Sequence, residues 1–104
     1  MWKTYKIIST LPEYEKYGLQ SQMRRSSMSI PTNIVEGFAK RHVKEKIQFY
    51  RTSHASAQEL RYQLQSCKKL GYVRDISELI GYLESITLML KSLIRKTPDL
   101  PTCL

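Results

Sequence analysis

The stretch Tyr17–Gly37, YGLQSQMRRSSMSIPTNIVEG, decides the reading of this chain. Placed on a wheel at about 100° per residue, its side chains sort into three arcs rather than two. Leu19, Met23, Ser27, Ile30, Ile34 and Phe38 share one arc and form a core face. Arg24, Met28, Pro31 and Val35 share a second arc that is half apolar. Gln22, Arg25, Ser29, Asn33 and Glu36 occupy the third, which is polar throughout. A surface helix needs one apolar stripe and a solvated back. A second, semi-apolar stripe predicts a second packing partner, such as another subunit.

Working outward, this helix is expected over about residues 15–39, with Pro31 inside it. Proline removes one backbone hydrogen bond and crowds the carbonyl of Ser27, which predicts a kink. A break into two helices is the competing reading, and the continuous core phase favours the kink. Upstream, residues 2–11 read as a short helix with Met1, Tyr5, Ile8 and Leu11 along one face, ended by Pro12. Downstream, the basic connection Lys40-Arg41-His42-Val43 leads to a third helix over residues 44–70. Its inner face is Phe49, Tyr50, Ser53, Ala57, Leu60, Leu64 and Cys67, and Ser53, Ser56 and Ala57 make its middle slim enough for close helix approach. Gly71 after Lys68-Lys69-Leu70 is a helix stop with cations on the negative end of the dipole.

The fourth helix opens at Asp75-Ile76-Ser77-Glu78, which resembles a capping box. Ile76, Leu79, Ile80, Leu83, Ile86, Leu90, Leu93 and Ile94 then recur at spacings of three and four. Short connections between long helices predict antiparallel neighbours. The expected fold is all-α: an antiparallel up-down four-helix bundle over residues 1–97, with a short first helix and a proline-kinked second. Residues 98–104, with Pro98 and Pro101, are expected to be a tail.

The run KYGLQSQMRRSSMSIPTNIVEGFAKR resembles the signature of the bacterial four-helix-bundle family encoded in intervening sequences of 23S ribosomal RNA genes. Ser56-Ala57-Gln58-Glu59-Leu60, Leu64 and Lys69-Leu70-Gly71-Tyr72 are similar to that family's second signature, and the likeness runs from about Tyr5 to Ile94. The resemblance implies a small antiparallel bundle, in some members assembled as a ring of five, and it carries no defined chemistry. The family's first helix begins well upstream of Trp2. A more distant likeness is to the accessory protein of diversity-generating retroelements, a basic pentamer that binds a reverse transcriptase.

Composition narrows the function classes. With 104 residues, 41% hydrophobic and 25% charged, the chain reads as one soluble globular domain. The net charge is +8, and 14 of the 17 Lys and Arg precede Asp75 against 5 of the 9 acidic residues. A positive field confined to part of a molecule favours a polyanion or an acidic protein patch as partner. There is neither a membrane-length apolar run nor a signal-peptide pattern, so cytoplasmic residence is expected. Cys67 lies on an apolar arc and reads as a small core residue; Cys103 falls in the tail, and the pair lacks metal-type spacing.

No catalytic residue, metal or cofactor is expected. His42 and His54 lie twelve residues apart and read as surface histidines, and three or four converging His, Cys or carboxylate ligands are missing. Two constellations remain. Arg25, Ser29, Asn33 and Glu36, faced by Ser56 and Glu59, are either a small site or a buried hydrogen-bonded network that fixes helix register or subunit contacts. The structural network is the preferred reading. Arg51, His54, Gln58, Arg61 and Gln65 form a stripe on the third helix, preceded by Lys40, Arg41, Lys44 and Lys46, with Lys68 and Lys69 at its far end. Lys40, Arg41, Lys44, Lys46, Arg51 and Arg61 are the expected phosphate contacts, because a line of cations and amides suits a nucleic-acid backbone and carries no sequence code. A solvated charged face is the plainer reading. The expected function is therefore a homo-oligomeric RNA-binding protein, with a scaffold that docks a partner enzyme as the alternative.

Overall fold

The first helix closes ahead of Pro12, which disfavours helix at the residue before it. The computed structural model describes residues 2–97. Met1 and the tail 98–104, including Cys103, lie outside the described residues. Helix α1 spans Trp2–Ser9, and the expected extension to Leu11 is instead closed by tight i→i−3 bonds. The amides of Thr10 and Leu11 donate to the carbonyls of Ile7 and Ile8 at 3.0 and 3.2 Å. The Ile8 carbonyl also receives the amide of buried Gln20 at 2.6 Å, which ties the end of α1 to the next helix.

The second helix starts later than its sequence pattern indicates. Glu13–Glu15 form a 3-10 turn, and Gly18 (φ −102°, ψ −107°) leaves the helical region before α2 begins at Leu19. From there α2 runs unbroken to Ala39 through Pro31, so the reading as two separate helices is set aside. Helix α3 spans Val43–Lys69, 27 residues or about 40 Å, and α4 spans Ser77–Lys96. These four helices, with no strand among the described residues, make the chain an all-α four-helix bundle.

Helix α2 packs most extensively on α3, and their paired positions run in opposite directions. Met23 meets Cys67 (sulfur to sulfur 3.6 Å), Ser29 meets Ser56, and Ile30 meets Ser53. The slim middle of α3 does what its small residues predict. The Ser53 hydroxyl donates to the Ile30 carbonyl at 2.8 Å, a bond to neighbouring backbone that only a close helix crossing allows. Near the top of the pair, a Cβ on Gly37 would stand 2.8 Å from Tyr50 Cδ1, so glycine is needed for the Tyr50 ring to lie against the α2 backbone.

Ile8, Leu11, Met23, Ile30, Ala57, Leu60, Leu64, Cys67, Ile76, Leu79 and Leu83 form one continuous core. Phe38, placed by periodicity on the core arc, is instead exposed and touches Tyr50 edge-on at 5.8 Å. The helix has reached its last turn there and has outrun the elements that cover it. Met28, Pro31 and Val35 on the second arc are exposed as well, Met28 at 56% and Val35 at 64%.

The α3–α4 connection ends α3 in a Schellman motif. Gly71 takes φ +80°, its amide donates to Lys68 O, and the Tyr72 amide reaches Cys67 O. The expected capping box does not form: the N-cap of α4 is Ile76, which has no side-chain cap, and Asp75 just before it closes a local turn instead. Its Oδ1 accepts both the amide (2.9 Å) and the hydroxyl (2.7 Å) of Ser77, and these bonds hold its carboxyl below the usual carboxylate range. The molecule measures 51 × 24 × 18 Å, with a radius of gyration of 15.4 Å against about 13 Å for a compact globule of this length. Helix α1 packs on α2, and α4 packs on α3.

Candidate functional site

The six cations expected to meet phosphate divide into two groups. Lys46 Nζ donates to the carbonyls of Gly37 and Phe38, both at 3.2 Å, and so closes the C-terminal end of α2. Lys40 stands 3.9 Å from the Glu36 carboxylate and 5.3 Å from the centre of the Phe49 ring. Arg61 pairs with Glu84 of α4 at 3.4 Å. Each of these three has work inside the fold, Arg61 through an acid carried by a different helix. Arg41, Lys44 and Arg51 are exposed, with no ion pair or hydrogen bond to their side chains among the described residues.

The stripe itself is split. His54 and Arg61 lie on the flank of α3 that faces α4, and His54 is half-buried with its Nε2 shielded and unpartnered, so it is not the surface histidine its polar neighbours imply. Lys44, Arg51, Gln58 and Gln65 are spaced by sevens, two turns apart, and all four are exposed. Lys69 continues their line, which extends about 37 Å from Lys44. Lys44 and Arg51 also line an open groove of about 550 Å³ with Ile47, Gln48, Thr52 and Ala55.

The polar network contracts to three members. Asn33 Nδ2 donates to the carbonyl and the hydroxyl of Ser29 at 2.7 and 2.8 Å, and the Ser56 hydroxyl reaches Ser29 Oγ at 2.7 Å. This is one half-buried hydrogen-bonded link between α2 and α3. Glu36 stands outside it, exposed and paired with Lys40. Arg25 and Glu59 also stand outside it, but both line a cleft of about 440 Å³ with Gln22, Ser26, Ser29 and Ser56. Glu59 Oε1 accepts the Gln63 amide at 3.3 Å.

Five buried polar residues are not legible from periodicity: Thr4, Gln20, Ser26, Gln63 and Thr97. Ser26 falls between the apolar and polar arcs of α2, where a wheel assigns it to neither. Its hydroxyl and Gln63 Oε1 are both shielded and unpartnered. Cys67 is fully buried and free, and burial together with the Glu15 carboxylate pushes its thiol above the ordinary value. The Tyr72 hydroxyl donates to Glu15 Oε2 at 2.8 Å and lies 3.2 Å from the Tyr14 hydroxyl. Those bonds raise the Tyr72 phenol far above its usual range and pin the 3-10 turn to the α3–α4 connection.

Among the described residues no three His, Cys, Asp or Glu side chains gather as a metal site, and no helix is long and apolar enough to cross a membrane. No curated protein matches the chain. The model of one family, described as 23S rRNA-intervening sequence protein, does match, over residues 2–92. A match of that extent takes in α1, α2, α3 and most of α4, and with them both signature stretches. The chain belongs to the 23S rRNA-intervening sequence protein family.

Proposed function

We propose that this protein is a non-enzymatic, self-associating basic bundle that binds RNA along its phosphate backbone without reading base sequence. The observation that carries the reading is the line of Lys44 and Arg51 on α3, extended by Gln58, Gln65 and Lys69. All are exposed, and the two leading cations form no ion pair among the described residues. Unpaired cations on a rigid helix release counterions when phosphates replace solvent, which favours any polyanion of suitable length. Arg41 in the adjoining connection adds a further free charge. Lys40, Lys46 and Arg61 contribute less, because each is engaged within the fold. The test is Lys44→Ala/Arg51→Ala measured on two RNAs of unrelated sequence. Equal weakening on both is expected, and weakening on one alone overturns backbone recognition.

A second reading has an observation of its own. Met28, Val35 and Phe38 leave apolar surface uncovered along one side of α2, which favours a protein surface as partner. A further copy of this chain is the occupant that agrees with self-association. A scaffold that docks a separate enzyme, such as a reverse transcriptase, is the alternative, and its affinity would depend on Met28 and Val35 rather than on Lys44 and Arg51.

A further inference from the structure

The cleft between α2 and α3 is left unused by the backbone contacts above. Arg25 rises from α2 on one side and Glu59 from α3 on the other, and no ion pair joins them. Two opposite charges that share a cleft without pairing leave room for a ligand that answers both. Beside Arg25 stand the Gln22 amide and the hydroxyls of Ser26, Ser29 and Ser56. Ser26 is 4% exposed and its hydroxyl has no partner, an arrangement that costs stability unless something else completes it. Ser26 also lines the cleft, beside Ser29 and Ser56.

A guanidinium, an amide and several hydroxyls form a donor set for an anionic oxygen group. Glu59 repels a bare anion, so the ligand must carry hydroxyl donors next to its anionic group. A phosphate attached to a ribose has that form. Phosphate oxygens accept from Arg25 and from the Ser26 and Ser29 hydroxyls, the Ser56 proton being committed to Ser29, and the ribose 2′-hydroxyl donates to the Glu59 carboxylate. A deoxyribose phosphate satisfies only the first half. We propose that this cleft binds one ribose phosphate unit of an RNA strand and gives the protein a preference for RNA over DNA.

This inference rests on the nucleic-acid reading above and deepens it. Continuity favours a strand over a free sugar phosphate. Glu59 lies eight residues from Arg51 on the same helix, about 12 Å along its axis and under a quarter turn around it. A strand that follows Lys44 and Arg51 reaches the mouth of the cleft by bending about a quarter turn around α3. The 2′-hydroxyl is the group by which a protein tells the two nucleic acids apart.

The experiment compares three single strands of one sequence (ribo, deoxyribo and 2′-O-methyl) against the intact protein and three variants, with free ribose 5-phosphate as a further probe. The ribo strand is expected to bind roughly tenfold tighter than the deoxyribo strand, the size of one charge-assisted hydrogen bond. The 2′-O-methyl strand, which keeps the oxygen but lacks the proton, should bind like the deoxyribo strand. Glu59→Ala should bring the ribo-to-deoxyribo ratio close to one. Arg25→Ala should weaken all three strands, and Lys44→Ala/Arg51→Ala should weaken all three while preserving the ratio. Thermal melts of each variant separate these effects from loss of fold. Equal binding of ribo and deoxyribo strands overturns the cleft and leaves polyanion binding standing, whereas no binding of either overturns both. A preference that survives Glu59→Ala, or one shared by the 2′-O-methyl strand, also overturns the cleft. Tight binding of free ribose 5-phosphate with no preference among strands reassigns the cleft to a small molecule.

Discussion

Asn33 and Glu36 share the polar arc of α2, yet only Asn33 belongs to the contact with α3. Asn33→Ala removes two hydrogen bonds to Ser29 from a half-buried site and should lower unfolding free energy by about 1 kcal/mol in a urea melt. Glu36→Ala removes one long surface pair at 3.9 Å and should cost less than about 0.5 kcal/mol. The opposite order would show that Glu36 has a partner outside this chain. The wheel places both residues correctly on one arc, but an arc says nothing about what faces it. For the same reason Arg61 and Lys46 read as free cations in the sequence. Their partners, Glu84 and the carbonyls of Gly37 and Phe38, come from other elements and are invisible to spacing within α3. Arg25 and Glu59 line one cleft but do not join the expected network, and Ser26 is missed because it lies at the border of two arcs.

At the scale of elements, legibility follows how much of a helix is covered. The apolar face of α4 is read correctly throughout: Ile76, Leu79, Leu83 and Leu90 are buried, and Ile80, Ile86, Leu93 and Ile94 are half-buried. The inner face of α3 is equally clear, because two helices pack on it. Element ends are less so. Gly18, where the chain leaves the helical region, marks the start of α2 at Leu19, later than the start near residue 15 that periodicity indicates. Phe38 keeps the core phase of α2 but lies past the end of the covered part, so periodicity overstates its burial. The α2–α3 contact offers a sharp test of packing. Gly37→Ala drives a methyl group into the ring of Tyr50, which is 2% exposed and cannot swing clear. It should destabilise the fold by about 1–3 kcal/mol, measured by thermal or urea melting. An unchanged melt would mean that the two helices can separate at little cost.

For the whole molecule, the dominant facts are its elongation, its uncovered α2 surface and its unpaired cations. A chain whose radius of gyration is 15.4 Å, with Met28, Val35 and Phe38 in solvent, gains by covering that surface with a second copy. Light scattering should therefore return a mass above one 12.2 kDa chain at micromolar concentration, and Val35→Lys should return the monomer. A parent that stays monomeric removes self-association from the account. Assembly also repeats the Lys44–Arg51 line, so that weak phosphate contacts add through avidity. The central claim remains that those cations hold RNA by its backbone, and salt dependence tests it most directly. The measurement is RNA affinity across a salt series for the parent and for Lys44→Ala/Arg51→Ala. The account predicts that affinity falls linearly on logarithmic axes and that the variant's slope is shallower by about 1.4, the counterions of two lost single-strand contacts. Affinity that ignores salt, or a variant with the parent's slope, would contradict it.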